Sequence, residues 1–135
     1  MKASSRDRSR SDERRVLGAQ GESRAARFLA RRGYQIVARN VRVAGVELDL
    51  VVRRGALVAF VEVKTRRTSS HGAPEHAVDE RKQARIVRGA AAWLRENPNV
   101  ARSVRFDVVT CRADPSHEGG WRIEHWPGAF DASAR

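Results

Sequence analysis

Residues 46–65 read VELDLVVRRGALVAFVEVKT, and this segment governs the interpretation of the whole chain. Val, Leu and Phe predominate on both sides of Gly55, which predicts two β-strands, 46–53 and 56–65, joined by a tight turn. The acidic side chains of Glu47, Asp49 and Glu62 interrupt these apolar runs. Burying charge is costly unless it is compensated, and a divalent cation would compensate it.

The register of this hairpin brings the charged side chains together on one face. If Arg54-Gly55 is a two-residue loop, Arg53 pairs with Ala56 and Asp49 lies diagonally across from Glu62. A slip of one residue would send the two carboxylates to opposite faces. The predicted register is favoured because it leaves a wholly apolar opposite face, which consists of Leu48, Leu50, Val52, Leu57, Ala59, Val61 and Val63.

The charged face has the residue types of a metal site that acts on phosphate. Mg²⁺ prefers oxygen ligands, and Asp49 and Glu62 would supply them. Lys64 follows on the same face, where it would orient a water molecule or stabilise charge on a phosphate. The alternative is a surface hairpin in which Lys64 simply pairs with Glu62, and both interpretations remain open.

Charge and cysteine content narrow the class of protein. The net charge of +11 and the pI near 11.4 favour a polyanionic partner, most simply nucleic acid, although an arginine-rich soluble surface would have the same charge. We expect a cytoplasmic protein, because no apolar run is long enough to span a membrane and no signal peptide is recognisable. The single cysteine, Cys111, forms no recognisable zinc spacing with His117 and His125.

Composition divides the chain into a single domain with short tails. Residues 1–15 contain almost no apolar side chains and are predicted to be a disordered basic tail. Residues 16–131 are predicted to form one domain, followed by a C-terminal tail at 132–135.

A first helix is predicted over residues 16–32, because Gly33 is suited to end it. Glu22 lies on the inward stripe of this helix, where a carboxylate is unusual. It would either be a fourth group at the metal site or interact favourably with the helix N-terminus, and the sequence leaves both open. The apolar members of the stripe are Ala25, Ala26 and Leu29.

The remaining elements complete an α/β pattern. A second helix is predicted over 78–96, stopped by Asn97-Pro98. The order helix, three strands, helix, two strands predicts a mixed central sheet flanked by helices. The inward side of the second helix is predicted to consist of Ala84, Val87, Ala90, Ala91 and Leu94, widened by Ile86 and Trp93. The other strands are predicted at 34–43, 104–111 and 121–126.

Two basic regions are candidates for contact with DNA. One is the polar loop at 66–74, which directly follows the strand that carries Lys64. The other is a row of arginines on the second helix, which would lie along a phosphate backbone or form an ordinary solvated face. The row consists of Arg81, Arg85, Arg88 and Arg95.

An ordered set of motifs across residues 18–131 resembles the small bacterial YraN-like proteins. The motifs are GE at 21–22, AARFL at 25–29, GYQIVARN at 33–40, ELDL at 47–50, FVEVKTR at 60–66, GAP at 72–74, KQ at 82–83, RFDVV at 105–109, IEH at 123–125 and AF at 129–130. This chain departs from the family pattern at two positions. Many of these proteins have Gly directly before the residue that corresponds to Glu47, where this chain has Val46. His71 replaces an aromatic residue that is common before Gly72.

The resemblance implies a fold and a set of residue roles. The YraN-like proteins are regarded as predicted endonucleases of the PD-(D/E)xK, or restriction-endonuclease-like, superfamily, distantly similar to archaeal Holliday-junction resolvases. By that resemblance Asp49, Glu62 and Lys64 take the core roles. The carbonyl of Val63 becomes a further metal ligand, and Glu22 becomes the acidic residue carried by the helix.

The resemblance also places Gln83 where many relatives have a supporting glutamine, with a plain surface residue as the alternative.

The leading hypothesis is therefore a Mg²⁺-dependent DNA endonuclease, selective for DNA structure, in which Mn²⁺ would substitute and a homodimer would suit two symmetric cuts. A non-catalytic nucleic-acid-binding module and a basic accessory protein of DNA processing are the alternatives. Phosphate contacts are assigned to Arg66, Arg67, Arg81, Lys82, Arg85 and Arg88.

Overall fold

A single mixed β-sheet carries one helix against each of its faces. The computed structural model describes residues 5–67 and 78–132, with side chains from residue 9 onward. In chain order the elements are α1 (Ser5–Arg31), β1 (Gln35–Val43), β2 (Val46–Arg54), β3 (Leu57–Arg66), α2 (Glu80–Glu96), β4 (Ser103–Ala113) and β5 (Trp121–Phe130). The predicted α/β class and element order are confirmed.

The sheet follows the chain order β1-β2-β3-β4-β5. Among these five described strands, β3 and β4 pair in parallel and the other neighbours are antiparallel. A parallel pair needs a crossover connection, and α2 lies within that connection between β3 and β4. The start of α2 therefore follows the end of β3, where the sequence places Glu62 and Lys64.

Helix α1 begins at Ser5 rather than at residue 16, so it includes residues predicted to be a disordered tail. The side chains of residues 9–16 are exposed. This part of the helix is thus supported by the helix propensity of Arg and Glu rather than by burial. The predicted stop is confirmed, since Gly33 has φ +92° and the N–H of Tyr34 donates to the carbonyl of Leu29 at 3.1 Å.

The loop between β2 and β3 lies one residue later than predicted. Arg54 pairs with Leu57, which makes Gly55-Ala56 the two-residue loop. The predicted pairing of Arg53 with Ala56 is therefore wrong. The reason is the glycine: Gly55 has φ +62°, a conformation that tight hairpin loops require at their first central position.

The corrected register keeps the paired residues on their predicted faces. Arg53 pairs with Val58 instead of Ala56, a shift of two residues, and a shift of two preserves the face of each paired side chain. The ladder between β2 and β3 ends with Leu50 opposite Val61, so Asp49 and Glu62 lie just beyond its last pair.

The predicted apolar face is interrupted at Asp49. Leu48 packs with the cluster on the α2 side of the sheet, so its predicted place on the α1 side is wrong. In β1, Asn40 has φ +51° and lies between the pairs Arg39–Leu50 and Val41–Leu48, but the register is the same on both sides of it. The other predicted members that pack on the α1 side are Leu50, Val52, Ala59, Val61 and Val63.

Helix α2 begins at Glu80, two residues after the predicted start at Val78, because Asp79 caps it. The carboxylate of Asp79 accepts from the N–H of Lys82 at 2.8 Å. The helix ends at the predicted point, with Asn97 as its C-cap. Its predicted inward side is partly wrong, since Ala84 and Ala91 are exposed. The buried residues are Ile86, Gly89, Ala90, Ala92 and Trp93.

Some predictions concern residues outside the described ranges. Of the predicted DNA-contacting loop at 66–74, only Arg66 and Arg67 are described. Residues 1–4 and 133–135, at the ends of the predicted tails, also lie outside. Among the helices of residues 5–67 and 78–132, none has both the length and the apolar character needed to cross a membrane.

Candidate metal centre

Three carboxylates from two elements meet beside the sheet. Glu22 of α1 and Glu47 and Asp49 of β2 each offer an oxygen atom, and these atoms all lie within 4.8 Å of one another. We call this group the acidic triad. Hard divalent cations such as Mg²⁺ are bound by oxygen ligands of this kind, so the triad has the donor set that such an ion requires.

A close approach between α1 and β3 places Glu22 in the triad. Gly21 is buried, and a Cβ built at this position would overlap the Oγ1 of Thr65. Only a residue without a side chain lets the helix backbone lie this near the strand. The next residue along the helix is Glu22, which is consequently held beside β2 and β3.

Gly21→Ala is expected to lower the free energy of unfolding by about 1–3 kcal/mol, because the added methyl group overpacks the α1–β3 contact. Thermal or urea unfolding measures the change. The matched control is Gly18→Ala on the same helix, where a Cβ meets nothing within 4 Å. That substitution should instead stabilise the helix by up to about 1 kcal/mol. Equal effects from both alanines would contradict the close approach.

Asp49 is the most perturbed member of the triad. Its Oδ2 accepts a hydrogen bond from the N–H of Val63 at 2.9 Å, which fixes the carboxylate between β2 and β3. Burial, and then the charge of Glu62, raise the pKa of Asp49 from 3.8 to about 7, although the Val63 hydrogen bond opposes the rise. The charge of Lys82 offsets these effects only in part, and a bound cation would supply the remaining positive charge.

The pKa of Glu22 is also raised, for similar reasons but by less. Burial raises the pKa of Glu22, a hydrogen bond with Asn40 opposes the rise, and the charge of Glu47 adds to it. The members of the triad thus repel one another when ionised. A group of mutually repelling carboxylates fits a divalent cation, because the ion removes the repulsion.

Glu62 lies next to the triad but faces two lysines. Its carboxylate is buried, with 6% of the side chain exposed, and its Oε1 lies 2.6 Å from the Nζ of Lys82 and 3.9 Å from the Nζ of Lys64. Glu62 therefore contacts both lysines, and the charge of Asp49 in the triad acts on each of them as well. The predicted partners Asp49 and Glu62 are neighbours, as the charge of Glu62 acting on Asp49 indicates.

Lys82 was predicted to lie on a DNA-contacting surface, but the structure places it at this site. The two lysines differ in their surroundings. Burial and the neighbouring Lys82 lower the pKa of Lys64, so Lys64 releases a proton more readily than an exposed lysine. Burial is the largest influence on Lys82 and acts to lower its pKa, but the bonds to Glu62 and Lys64 and the charges of Glu62 and Asp49 together raise the pKa.

The remaining predicted residues surround the site without joining the triad. The side-chain amide of Gln83 donates to the carbonyl of Val78 at 2.8 Å, so Gln83 fastens the segment that leads into α2. The metal-ligand role of the Val63 carbonyl stays a prediction. The predicted DNA-contacting arginines are exposed, and they are Arg66, Arg67, Arg81, Arg85 and Arg88.

Sequence reasoning missed two features of the site. Glu47 was recognised as a charged residue of the hairpin but was given no role, although its alternation with Asp49 was a sufficient signal. The pairing of Lys82 with Glu62 had no signal, because it depends on how α2 docks against β3.

Comparison with known proteins shows wide similarity to one group of bacterial proteins. The model of the uncharacterised protein family UPF0102 matches residues 21–111. A UPF0102 protein of Anaeromyxobacter dehalogenans is 41% identical over 92% of this chain and 90% of its own length. Another, from Frankia alni, is 50% identical over 85% of this chain and 94% of its own length. A third, from Trichlorobacter lovleyi, is 44% identical over 86% of this chain and 91% of its own length.

Proposed function

The chain belongs to the uncharacterised protein family UPF0102, as its resemblance to the YraN-like proteins predicted, and from this premise we propose that it is a metal-dependent DNA endonuclease. The observation that carries the proposal is the combination of carboxylates and lysines around Glu62. The triad offers oxygen ligands for a cation, and two lysines suited to a phosphate contact Glu62. Hydrolysis of a phosphodiester needs both kinds of group within a few ångströms of the reacting phosphorus.

The triad and Lys64 would have separate roles in the reaction. Glu22, Glu47 and Asp49 would hold Mg²⁺, for which Mn²⁺ would substitute. When bound, the ion would neutralise charge on the phosphate and lower the pKa of a coordinated water. Lys64 would orient the attacking water and accept its proton, since burial and Lys82 lower the pKa of Lys64.

DNA is proposed as the substrate on grounds of charge and family resemblance. The net charge of +11 favours a polyanion, and the exposed arginines of α2 and of the β3 end would contact its phosphates. The mixed sheet with helices on both faces is compatible with the restriction-endonuclease-like fold that the resemblance implies. The resolvase likeness favours branched DNA, which a homodimer would cut symmetrically.

The test is cleavage of labelled linear duplex, single-stranded, flap and four-way-junction DNA with Mg²⁺ or Mn²⁺. We expect metal-dependent cutting by the wild-type protein, fastest on a branched substrate, and none by Asp49→Asn. Cutting that persists in EDTA, or that is equal in both proteins, would overturn the proposal.

A non-catalytic nucleic-acid-binding module is the second candidate. It is favoured by the 2.6 Å contact between Lys82 and Glu62, which neutralises Glu62 without any metal. A protein of this kind would bind DNA with an affinity that falls steeply with salt, and it would cleave no substrate in the panel.

A further inference from the structure

Lys82 is the closest cation to Glu62 among the described residues. Its Nζ lies 2.6 Å from the Oε1 of Glu62, whereas the Nζ of Lys64 lies 3.9 Å from the same oxygen. The side chain of Lys82 is 41% exposed and that of Lys64 is 26% exposed. Lys82 therefore makes the shorter contact and also has the more open path to solvent.

The backbone that carries Lys82 is fixed. Asp79 caps α2 through the N–H of Lys82 itself, and Gln83 holds the carbonyl of Val78. Any movement of the Lys82 ammonium group must then come from its flexible four-carbon stem. The ammonium can leave Glu62 without disturbing the helix.

We propose that Lys82 is a second functional lysine, which occupies Glu62 in the absence of a cation and moves to a DNA phosphate when a cation takes its place. This inference rests on the proposed function. Glu62 lies outside the acidic triad while it is paired with Lys82, and release by Lys82 would let it join the cation. The displaced lysine would then add positive charge beside the scissile phosphate.

Electrostatic repulsion prevents Lys82 and a divalent cation from occupying Glu62 at the same time. An ammonium group and a divalent cation on the same carboxylate oxygen repel each other, so binding of the ion favours departure of Lys82. A DNA phosphate that attracts Lys82 frees Glu62 in turn. The two ligands must then strengthen each other's binding by the same factor, since the coupling between two binding sites is reciprocal.

The first test measures Mn²⁺ affinity without DNA, by calorimetry or by the electron paramagnetic resonance signal of free Mn²⁺. Lys82→Met, which keeps an unbranched side chain only one atom shorter and removes its charge, should bind Mn²⁺ roughly tenfold more tightly than wild type, because a competing charge-assisted hydrogen bond is gone. The matched control is Arg102→Met, which removes an exposed positive charge just before β4. The start of β4 is paired with the start of β3, at the opposite end from the site, so this control should leave Mn²⁺ affinity unchanged.

The second test measures binding of a short fluorescent DNA duplex with and without Ca²⁺. Wild type should gain affinity for the duplex when Ca²⁺ is added, and Lys82→Met should lose most of this gain. Lys82→Gln, which keeps a hydrogen-bond donor toward Glu62, should give intermediate results and serves if the Met variant is unstable.

Failure of this inference differs from failure of the proposed function. If wild type, Lys82→Met and Arg102→Met bind Mn²⁺ equally, Lys82 does not compete with the ion, and the proposal for Lys82 is overturned while the nuclease proposal stands. If no variant binds Mn²⁺ with or without DNA, both proposals are overturned.

Discussion

Asp49→Asn is expected to abolish metal-dependent DNA cleavage and yet to stabilise the metal-free protein. The substitution keeps the size of the side chain and an oxygen that can accept from the N–H of Val63, so it removes little except the charge. Metal stabilisation of the transition state is worth several kcal/mol, and each 1.4 kcal/mol is tenfold in rate, so we expect a loss of about 10³-fold or more. Initial rates on the best substrate of the panel measure it.

The gain in stability follows from the pKa of Asp49. Burial and Glu62 raise the pKa from 3.8 to about 7 in the folded protein. The unfolded chain loses this proton at lower pH than the folded chain, so the wild type loses stability as pH rises from about 4 through about 7. Above pH 7 we expect Asp49→Asn to be more stable by about 2 kcal/mol, or several degrees in Tm.

Added Mg²⁺ should make the wild type more stable than Asp49→Asn, which reverses the order expected without the ion. The ion would stabilise the wild type by binding its folded form and would stabilise Asp49→Asn much less. Melting curves at pH 8 with EDTA and with Mg²⁺ compare the two proteins. The matched control is Asp12→Asn, which neutralises an exposed aspartate of α1 and should change neither the rate nor the pH dependence of Tm. A less stable Asp49→Asn at pH 8 in EDTA would contradict the assignment of an uncompensated charge.

A second large effect, on the free energy of unfolding, is expected from substitution of Asp107 of β4. Its carboxylate is fully buried and has no proposed role in the metal centre. Its oxygens accept from both guanidinium positions of Arg105 at 2.8 Å and from the N–H of Gly128 at 3.0 Å. The Nε2 of His125 lies 2.8 Å from Oδ2. Arg105 also donates to the hydroxyl of Tyr34 at 2.7 Å, which connects the segment between α1 and β1 to this network.

Asp107→Ala is expected to lower the free energy of unfolding by about 3–5 kcal/mol, because removing one member of a buried charge network leaves the others unpaired. Arg105 and the N–H of Gly128 would lose their acceptors. Urea unfolding at pH 7 measures the effect. The Asp12→Asn protein again serves as the control, since its exposed carboxylate should contribute little. A loss under about 1 kcal/mol, the range of exposed ion pairs, would show that this network contributes little to stability.

The pH dependence of Asp107 has the opposite sign to that of Asp49. Burial acts to raise the pKa of Asp107, but the bonds from His125, Arg105 and Gly128 outweigh burial and lower it below its usual value. The stabilisation is therefore present above the unfolded value of 3.8 and is lost as pH falls through the lower folded value. Acid unfolding should separate wild type from Asp107→Ala least at the lowest pH.

The acidic residues show how far local pattern extends. The predicted neighbours Asp49 and Glu62 do lie close together, since the charge of Glu62 acts on Asp49. The paired residues of β2 and β3 keep their predicted faces, because a register error of two residues preserves faces. The pattern did not place Leu48, which packs on the α2 side while Leu50 packs on the α1 side. The α1 contact needed Gly21, whose role is visible only against Thr65.

By itself the sequence determined the α/β class, the order of helices and strands, the stop of α1 at Gly33, the family and the carboxylates of the hairpin. These depend on residues near one another in the chain, through side-chain periodicity, turn chemistry and capping. Only the tertiary structure decided that Glu47 completes the triad with Glu22, that Lys82 pairs with Glu62 and that Asp107 is buried among Arg105, His125 and Gly128. Except for Arg105 with Asp107, those contacts depend on how separate elements are arranged, and the packing of helices on the sheet and of strands within it follows from the whole core.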